Sequence, residues 1–198
     1  MTKVAAGITT SLDGYITGPN DGPGTGLGEG GERLHYWVFG GAWSYDQDPR
    51  GEATGADKEF LDEGMARAGA VVAGRNMYEA AGAWGGQNPF GVPFFVLTHR
   101  PEDEPAEGGF TFVNGLDEAI ARAREAADGK DVMIGGGADV IRQALRDEYV
   151  EELAISIAPV VLGGGKRLFD DFVDTVGLEH LGVRQSPFAT HITYRVVR

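Results

Sequence analysis

The sequence contains no cysteine. Disulfides, thiolate metal sites and cysteine nucleophiles are therefore excluded, and the absence suits a reducing cytosol. Positive charge is also scarce. Seventeen Lys plus Arg stand against 30 Asp plus Glu, a formal net charge of −13. A chain this acidic is a poor candidate for gripping a phosphate backbone or an anionic membrane. Long apolar runs are missing too. The opening residues, Met1-Thr2-Lys3-Val4-Ala5-Ala6-Gly7-Ile8-Thr9, hold one positive charge and an apolar stretch too short for a signal peptide. No segment approaches the roughly 20 apolar residues of a membrane helix, so the default location is the cytoplasm. The four histidines, His35, His99, His180 and His191, have no short metal-ligand spacing, and no G-x-S-x-G elbow occurs.

What is present is glycine, 32 of 198 residues, about twice the average usage. With 42% hydrophobic and 24% charged residues the chain is otherwise ordinary, which excludes wholesale disorder. The length supports one well-buried core. No linker or repeat divides the chain, so 1–198 reads as one domain, with a Gly-rich loop and aromatic insertion at 18–50.

Lys3–Thr10 is rich in strand formers and ends in the turn-like Ser11-Leu12-Asp13-Gly14. Gly18–Gly31 is a long Gly/Pro-rich stretch, either a lid or active-site wall or an inert surface insertion. Leu34, Trp37 and Val38 keep helical spacing within an aromatic cluster that serves either core packing or stacking on a planar ligand. Ala56–Ala68 reads as a helix with Phe60, Leu61 and Met65 inward and Asp57, Glu59, Asp62 and Glu63 exposed. Buried strands are expected at 69–74, 93–98, 110–113 and 131–134. Asp117 is expected to cap a helix running through Asp128, ended by Gly129. A second helix spans Ala138–Asp147. A long strand is expected over 152–162, then an antiparallel hairpin of strands near 179–184 and 191–197 around Ser186-Pro187-Phe188. Strands alternating with helices imply an α/β fold with a mixed, mostly parallel sheet and helices on both faces.

Three strand-to-glycine junctions carry the chemistry. At Val72-Ala73-Gly74-Arg75 the glycine turns the chain off a strand and leaves Arg75 at the carboxyl edge, where ligands of open α/β sheets bind. There Arg75 either grips phosphate or pairs with Glu79 or another carboxylate. At Ile134-Gly135-Gly136-Gly137-Ala138 a triple glycine leads into a helix N-terminus, a site suited to pyrophosphate. Pro159-Val160-Val161-Leu162-Gly163-Gly164-Gly165-Lys166-Arg167 lacks the first glycine and the Ser/Thr of a P-loop, so a nucleotide triphosphatase is rejected. Gly26, Gly28 and Gly31 match G-x-G-x-x-G by spacing, but no buried strand precedes them.

Taken in order, Ser11-Leu12-Asp13-Gly14, Val72-Ala73-Gly74-Arg75-Asn76-Met77-Tyr78, Val96-Leu97-Thr98-His99-Arg100, Ile134-Gly135-Gly136-Gly137 and Pro159-Val160-Val161-Leu162-Gly163-Gly164-Gly165-Lys166-Arg167-Leu168-Phe169 resemble the dihydrofolate reductase-like superfamily. The branch they resemble most is the C-terminal reductase domain of the riboflavin-biosynthesis bifunctional deaminase-reductase. The resemblance spans essentially the whole chain. It implies a three-layer α/β/α fold with about eight strands, a homodimer, and an NADPH-dependent reductase. The implied reaction is hydride transfer to a C=N or C=O bond of a small heterocycle, as in 5-amino-6-(5-phosphoribosylamino)uracil reductase activity or dihydrofolate reduction. The alternative is a catalytically inactive NADPH-binding module of the same fold. The resemblance assigns the adenosine 2′-phosphate end of the cofactor to Gly74, Arg75, Asn76 and Met77 with Thr98, His99 and Arg100. It assigns the pyrophosphate to Gly135, Gly136 and Gly137 with Ala138 and Val140, and the nicotinamide flank to the first strand near Ala6 and Gly7 and to the Leu12–Ile16 segment.

Dihydrofolate reductases carry a carboxylate on the first helix. The corresponding stretch here is read as Gly31–Phe39, where Glu32 is nearby but no carboxylate is clearly matched. Asp13 matches the Ser-Leu-Asp-Gly of riboflavin-type reductases, where it lies in the substrate pocket; alternatively it only forms the turn. Asp13, Glu32 or an ordered water are the candidate proton donors, and Trp37 and Trp84 the candidate stacking wall for the substrate.

Overall fold

Strands that are apolar on both faces must be covered on both. The computed structural model, which describes residues 2–47 and 51–197, solves this by layering helices on either side of one sheet. In chain order the strands are β1 (Val4–Ser11), β2 (Ala68–Gly74), β3 (Phe94–Leu97), β4 (Phe110–Val113), β5 (Asp131–Gly136), β6 (Glu152–Ala158), β7 (Gly177–Gln185) and β8 (Thr190–Val197). The helices are α1 (Gly55–Arg67), α2 (Arg75–Ala80), α3 (Leu116–Ala126) and α4 (Ala138–Arg146). The sheet order is β4-β3-β2-β5-β1-β6-β8-β7. Strands β1 to β6 are mutually parallel, and β8 runs antiparallel to both β6 and β7.

On one face, Val4 and Ala6 of β1 align with Val72, Ile134 and Leu153 and meet Ile120 and Ala123 of α3 and Ile141, Ala144 and Leu145 of α4. Each fully buried Val, Leu or Ile here contributes about 1.5–3 kcal/mol. On the other face, Val71, Phe94, Phe110 and Phe112 form an aromatic cluster with Tyr78 and Trp84. Helix α1 lies over the β7 end of the sheet.

Four expectations change. The strand over 152–162 stops at Ala158, because Pro159 has no N–H to continue a ladder. Helix α3 is capped by Gly115; Asp117 lies in its first turn and instead accepts from the Tyr149 hydroxyl at 2.9 Å. The helical spacing of Leu34, Trp37 and Val38 resolves into a short 3-10 turn over Gly31–His35, with Leu34 buried inside it and Trp37 buried beyond it. In α1, Asp57 is the one residue fully buried, whereas Phe60 and Leu61 are only half covered and Met65 is 42% exposed. The helix roofs an open cleft, so its apolar face has little core to press on. Part of the 18–50 insertion, residues 48–50, lies outside the described residues. No described helix is long and apolar enough to cross a membrane.

Candidate functional site

A cleft of about 1730 Å³ opens on the second face of the sheet at the carboxyl ends of the parallel strands. One small ligand usually occupies roughly 300–1,000 Å³, so the space suits two ligands side by side. The sheet order explains its position. Strands β3, β2, β5 and β1 are neighbours, so the residues that follow β2, β3 and β5 emerge along one edge. Gly74, Arg75, Asn76, Met77, Thr98, His99, Arg100, Gly135, Gly136, Gly137, Ala138 and Val140 all line the cleft, as do Ala6 and Gly7 on β1.

The local geometry depends on glycine. A Cβ on Gly136 would lie 2.9 Å from the Met77 sulfur, and one on Gly74 would lie 3.0 Å from a Val140 methyl. The β2 and β5 junctions are thus packed backbone against side chain. Gly7, by contrast, faces open space within the cleft. The Gly136–Gly137 peptide is cis, and Gly137 caps α4. The long Gly-rich loop forms a wall: Asp21, Gly24, Gly26 and Leu27 line the cleft. Gly18 N–H donates to Leu27 O at 2.7 Å, Tyr45 Oη accepts from Leu27 N–H at 2.8 Å, and a Cβ on Gly26 would meet Ala80 O at 2.6 Å.

Arg75 is already partnered. Its Nε donates to Glu79 at 2.7 Å, its Nη2 to Asp103 at 3.2 Å, and the guanidinium lies 4.9 Å from the centre of the Phe112 ring. Arg100 shares both carboxylates, at 3.9 and 3.4 Å. Nη1 of Arg75 is buried without a hydrogen-bond partner among the described residues. Such a donor normally finds an acceptor, and an anionic oxygen of a ligand fits that role.

The opposite flank holds a polar floor that the sequence did not disclose. Thr9, Ser156 and His191 are directly paired across β1, β6 and β8, with Arg184 of β7 next in the row. Ser156 Oγ lies 2.8 Å from His191 Nδ1, and His191 Nε2 lies 2.8 Å from Asp57 Oδ1. The imidazole is stacked on Phe60 with centroids 4.2 Å apart and meets the edge of Trp37 at 4.9 Å. Trp37 Nε1–H donates to Thr9 Oγ1 at 3.0 Å. Of the four carboxylates on α1, Asp57 is the buried one, and it lies well downstream of the Gly31–Phe39 stretch. Its helix pattern assigned it to solvent. The signal available was strand alternation, which turns the polar Ser156 and His191 inward.

The remaining candidates lie elsewhere. Asp13 is not on the cleft wall. Its carboxylate accepts from Ser11 Oγ–H at 2.6 Å and from the N–H groups of Leu162 and Gly163 at 3.1 and 2.8 Å. The Ser11 hydroxyl, with those backbone donors, holds its pKa down to about 2, as expected of a turn-forming carboxylate. Glu32 sits in the first turn of the 3-10 segment, also off the wall. Trp37 and Trp84 both line the cleft but are not brought together. Trp84 packs on Phe90, Phe94 and Phe110 at the β3–β4 end, far along the sheet from the Trp37 contacts. His35 lines the cleft as well, and desolvation pulls its pKa down to about 4.

Comparison with known proteins follows the same lines. Over 125 residues, 63% of this chain and 71% of the relative, the chain is 27% identical to the uncharacterised protein YwjB of Bacillus subtilis. A putative riboflavin biosynthesis protein from Shewanella sp. PV-4 superposes with a TM-score of 0.74 at 25% identity, covering all of both chains. A dihydrofolate reductase from Enterococcus faecalis, solved with NADP(H), superposes with a TM-score of 0.60 at 19% identity over 98% of this chain and 96% of that one. The profile of the RibD C-terminal domain matches residues 2–191. With that match spanning nearly its whole length, the chain belongs to the RibD C-terminal domain family.

Proposed function

We propose that this chain is an NADPH-dependent reductase that delivers a hydride to a C=N or C=O bond of a small heterocycle. A reductase-type function is supported by the family and by the dihydrofolate reductase-like fold. The observation that carries the finer reading is one cleft lined along a single sheet edge by the Gly74–Met77, Thr98–Arg100 and Gly135–Gly137 junctions, with room left over a polar floor.

The bare backbone of Gly135, Gly136 and Gly137 and the start of α4 suit a pyrophosphate. Arg75 and Arg100 suit a 2′-phosphate, with the unpartnered Nη1 of Arg75 as a spare donor. Ala6 and Gly7 present a flat strand to a planar ring, and the open space at Gly7 lets that ring lie close. When bound, the nicotinamide would supply the hydride. The protein's own work is to hold the second ring against it, over the floor that Trp37, Thr9 and Ser156 form together.

The alternative of a binding module without catalysis draws on one observation: neither Asp13 nor Glu32, the expected proton donors, reaches the cleft. Titrating purified protein with NADPH and NADH by fluorescence or calorimetry tests both readings. Binding that depends on the 2′-phosphate supports the cofactor site, and failure of both nucleotides to bind overturns it. Turnover with dihydrofolate or a 5-amino-6-ribosylamino-pyrimidine phosphate then separates enzyme from module.

A further inference from the structure

We propose that Asp57, His191 and Ser156 form a proton relay, with Ser156 Oγ as the group that hands a proton to a ligand in the cleft. The inference rests on the reductase reading for its substrate but not for its geometry.

Three polar side chains with exposures of 2%, 1% and 3% are strung across α1, β8 and β6. Of these, His191 and Ser156 line the cleft, whereas Asp57 stands behind them. An ionised carboxylate only accepts, so Asp57 keeps the Nε2 hydrogen of His191 in place. The end of the imidazole free to gain or lose a proton is then Nδ1, which faces Ser156. This couples the two sides. With His191 neutral, Ser156 donates its hydrogen backwards to Nδ1 and offers the cleft only lone pairs. With His191 charged, Nδ1–H donates to Ser156 Oγ, and the hydroxyl hydrogen is released toward the cleft.

Docking α1 does not require this arrangement. Phe60 already stacks on the imidazole, and Glu63 of α1 holds Arg184 of β7 through both carboxylate oxygens at 2.7 Å. A buried ionisable pair is also a poor source of stability compared with apolar residues of similar volume. Competing acids on the cleft wall are tied up: Asp21 with Lys166, Glu63 with Arg184, Asp139 with Arg142, and Glu152 with Lys3 and Arg67. Asp170 lies exposed at the rim, where its charge acts on Arg167.

A bound nicotinamide would supply the hydride to the carbon of the C=N or C=O bond, and the π pair would pass to the heteroatom. That heteroatom takes the Ser156 Oγ hydrogen, while the Nδ1 hydrogen of His191 moves to Oγ. His191 is left neutral with Nε2–H still on Asp57, and water restores the lost proton. The groups facing the imidazole are Asp57 and Phe60 from α1, Trp37, Ser156 from β6, and Arg184 from β7, the last already paired to Glu63. Among the described residues, Asp57 is thus the one charge that touches it directly.

The first test needs no substrate. Nitrogen NMR of 15N-histidine-labelled protein between about pH 5 and 9, assigned with the His191→Gln variant, reads the imidazole directly. The relay requires that His191 carry its hydrogen on Nε2 when neutral, that it take up a second proton at Nδ1, and that Asp57→Asn move this titration to lower pH. An imidazole that never titrates, or whose neutral form is protonated on Nδ1, overturns the relay. The second test uses NADPH with whichever of dihydrofolate and the 5-aminopyrimidine is turned over. Ser156→Ala and His191→Gln should each lower kcat about 100-fold, flatten the pH profile and leave NADPH affinity within about twofold. Unchanged kcat would also overturn the relay. Failure of wild-type protein to bind NADPH would defeat the reductase reading instead, and the imidazole titration would still decide the relay.

Discussion

Arg75 is held by Glu79 and Asp103 and faces the Phe112 ring, so any 2′-phosphate must share it with two carboxylates. This competition sets the expected effect of substitutions. Arg75→Ala should weaken NADPH at least tenfold while changing NADH much less, and equal losses for both would remove Arg75 from the site. Glu79→Gln combined with Asp103→Asn should act in the opposite direction. Exposed ion pairs are worth a few tenths of a kcal/mol to about 1 kcal/mol, so a gain of about two- to fivefold in the NADPH-to-NADH affinity ratio is expected. Parallel calorimetric titrations measure both. Asp13 is held by Ser11, Leu162 and Gly163, and that has a consequence for stability. Its folded pKa of about 2 lies below the unfolded value of about 3.9. Its stabilisation is therefore present above pH ~4 and lost as pH falls toward ~2. Asp13→Asn should lower the melting temperature at neutral pH by a few degrees, with the difference from wild type shrinking across that window.

Elements were legible where local pattern and tertiary environment agree. Strands β2 to β5 are short apolar runs bounded by glycine or turn residues, and all four lie where those runs are. The overreach of β6 came from Val160-Val161-Leu162, which is apolar enough for a strand, although Pro159 cuts the ladder first. The strand–glycine junctions that meet along one side of the cleft are legible because each is local. The polar floor was not, because Asp57 and His191 are 134 residues apart and only the fold joins them. A charge-rich helix places Asp57 in solvent on any local reading. The glycine run after β6 also has a tertiary reason. A Cβ on Gly165, at φ +118°, would lie 2.0 Å from Thr17 O, whereas Gly163 at φ +71° faces open space. Gly163→Ala should cost about 1–2 kcal/mol and Gly165→Ala several times more, as read by denaturant unfolding. Equal costs would show that the loop yields freely.

At the scale of the whole molecule, the sheet ends in β7, an edge strand with Leu178, Leu181 and Val183 at 40%, 44% and 58% exposure. Exposed apolar edges invite pairing, and the homodimer implied by the resemblance would cover this one. Sedimentation should give a dimer for the wild type and a monomer for Val183→Lys; a wild-type monomer at micromolar concentration would refute that use of the edge. The two faces of the sheet differ in a way that reaches beyond the resting structure. Helices α3 and α4 bury Ile120, Ala123, Ile141 and Ala144 completely, whereas α1 spans a cleft and hides little but Asp57. Amide hydrogens in α1 should therefore exchange with deuterium through a local opening, while those of α3 and α4 wait for global unfolding. A ligand that fills the cleft supplies the packing surface α1 lacks, so its saturation should slow exchange in α1 selectively and leave the opposite layer unchanged.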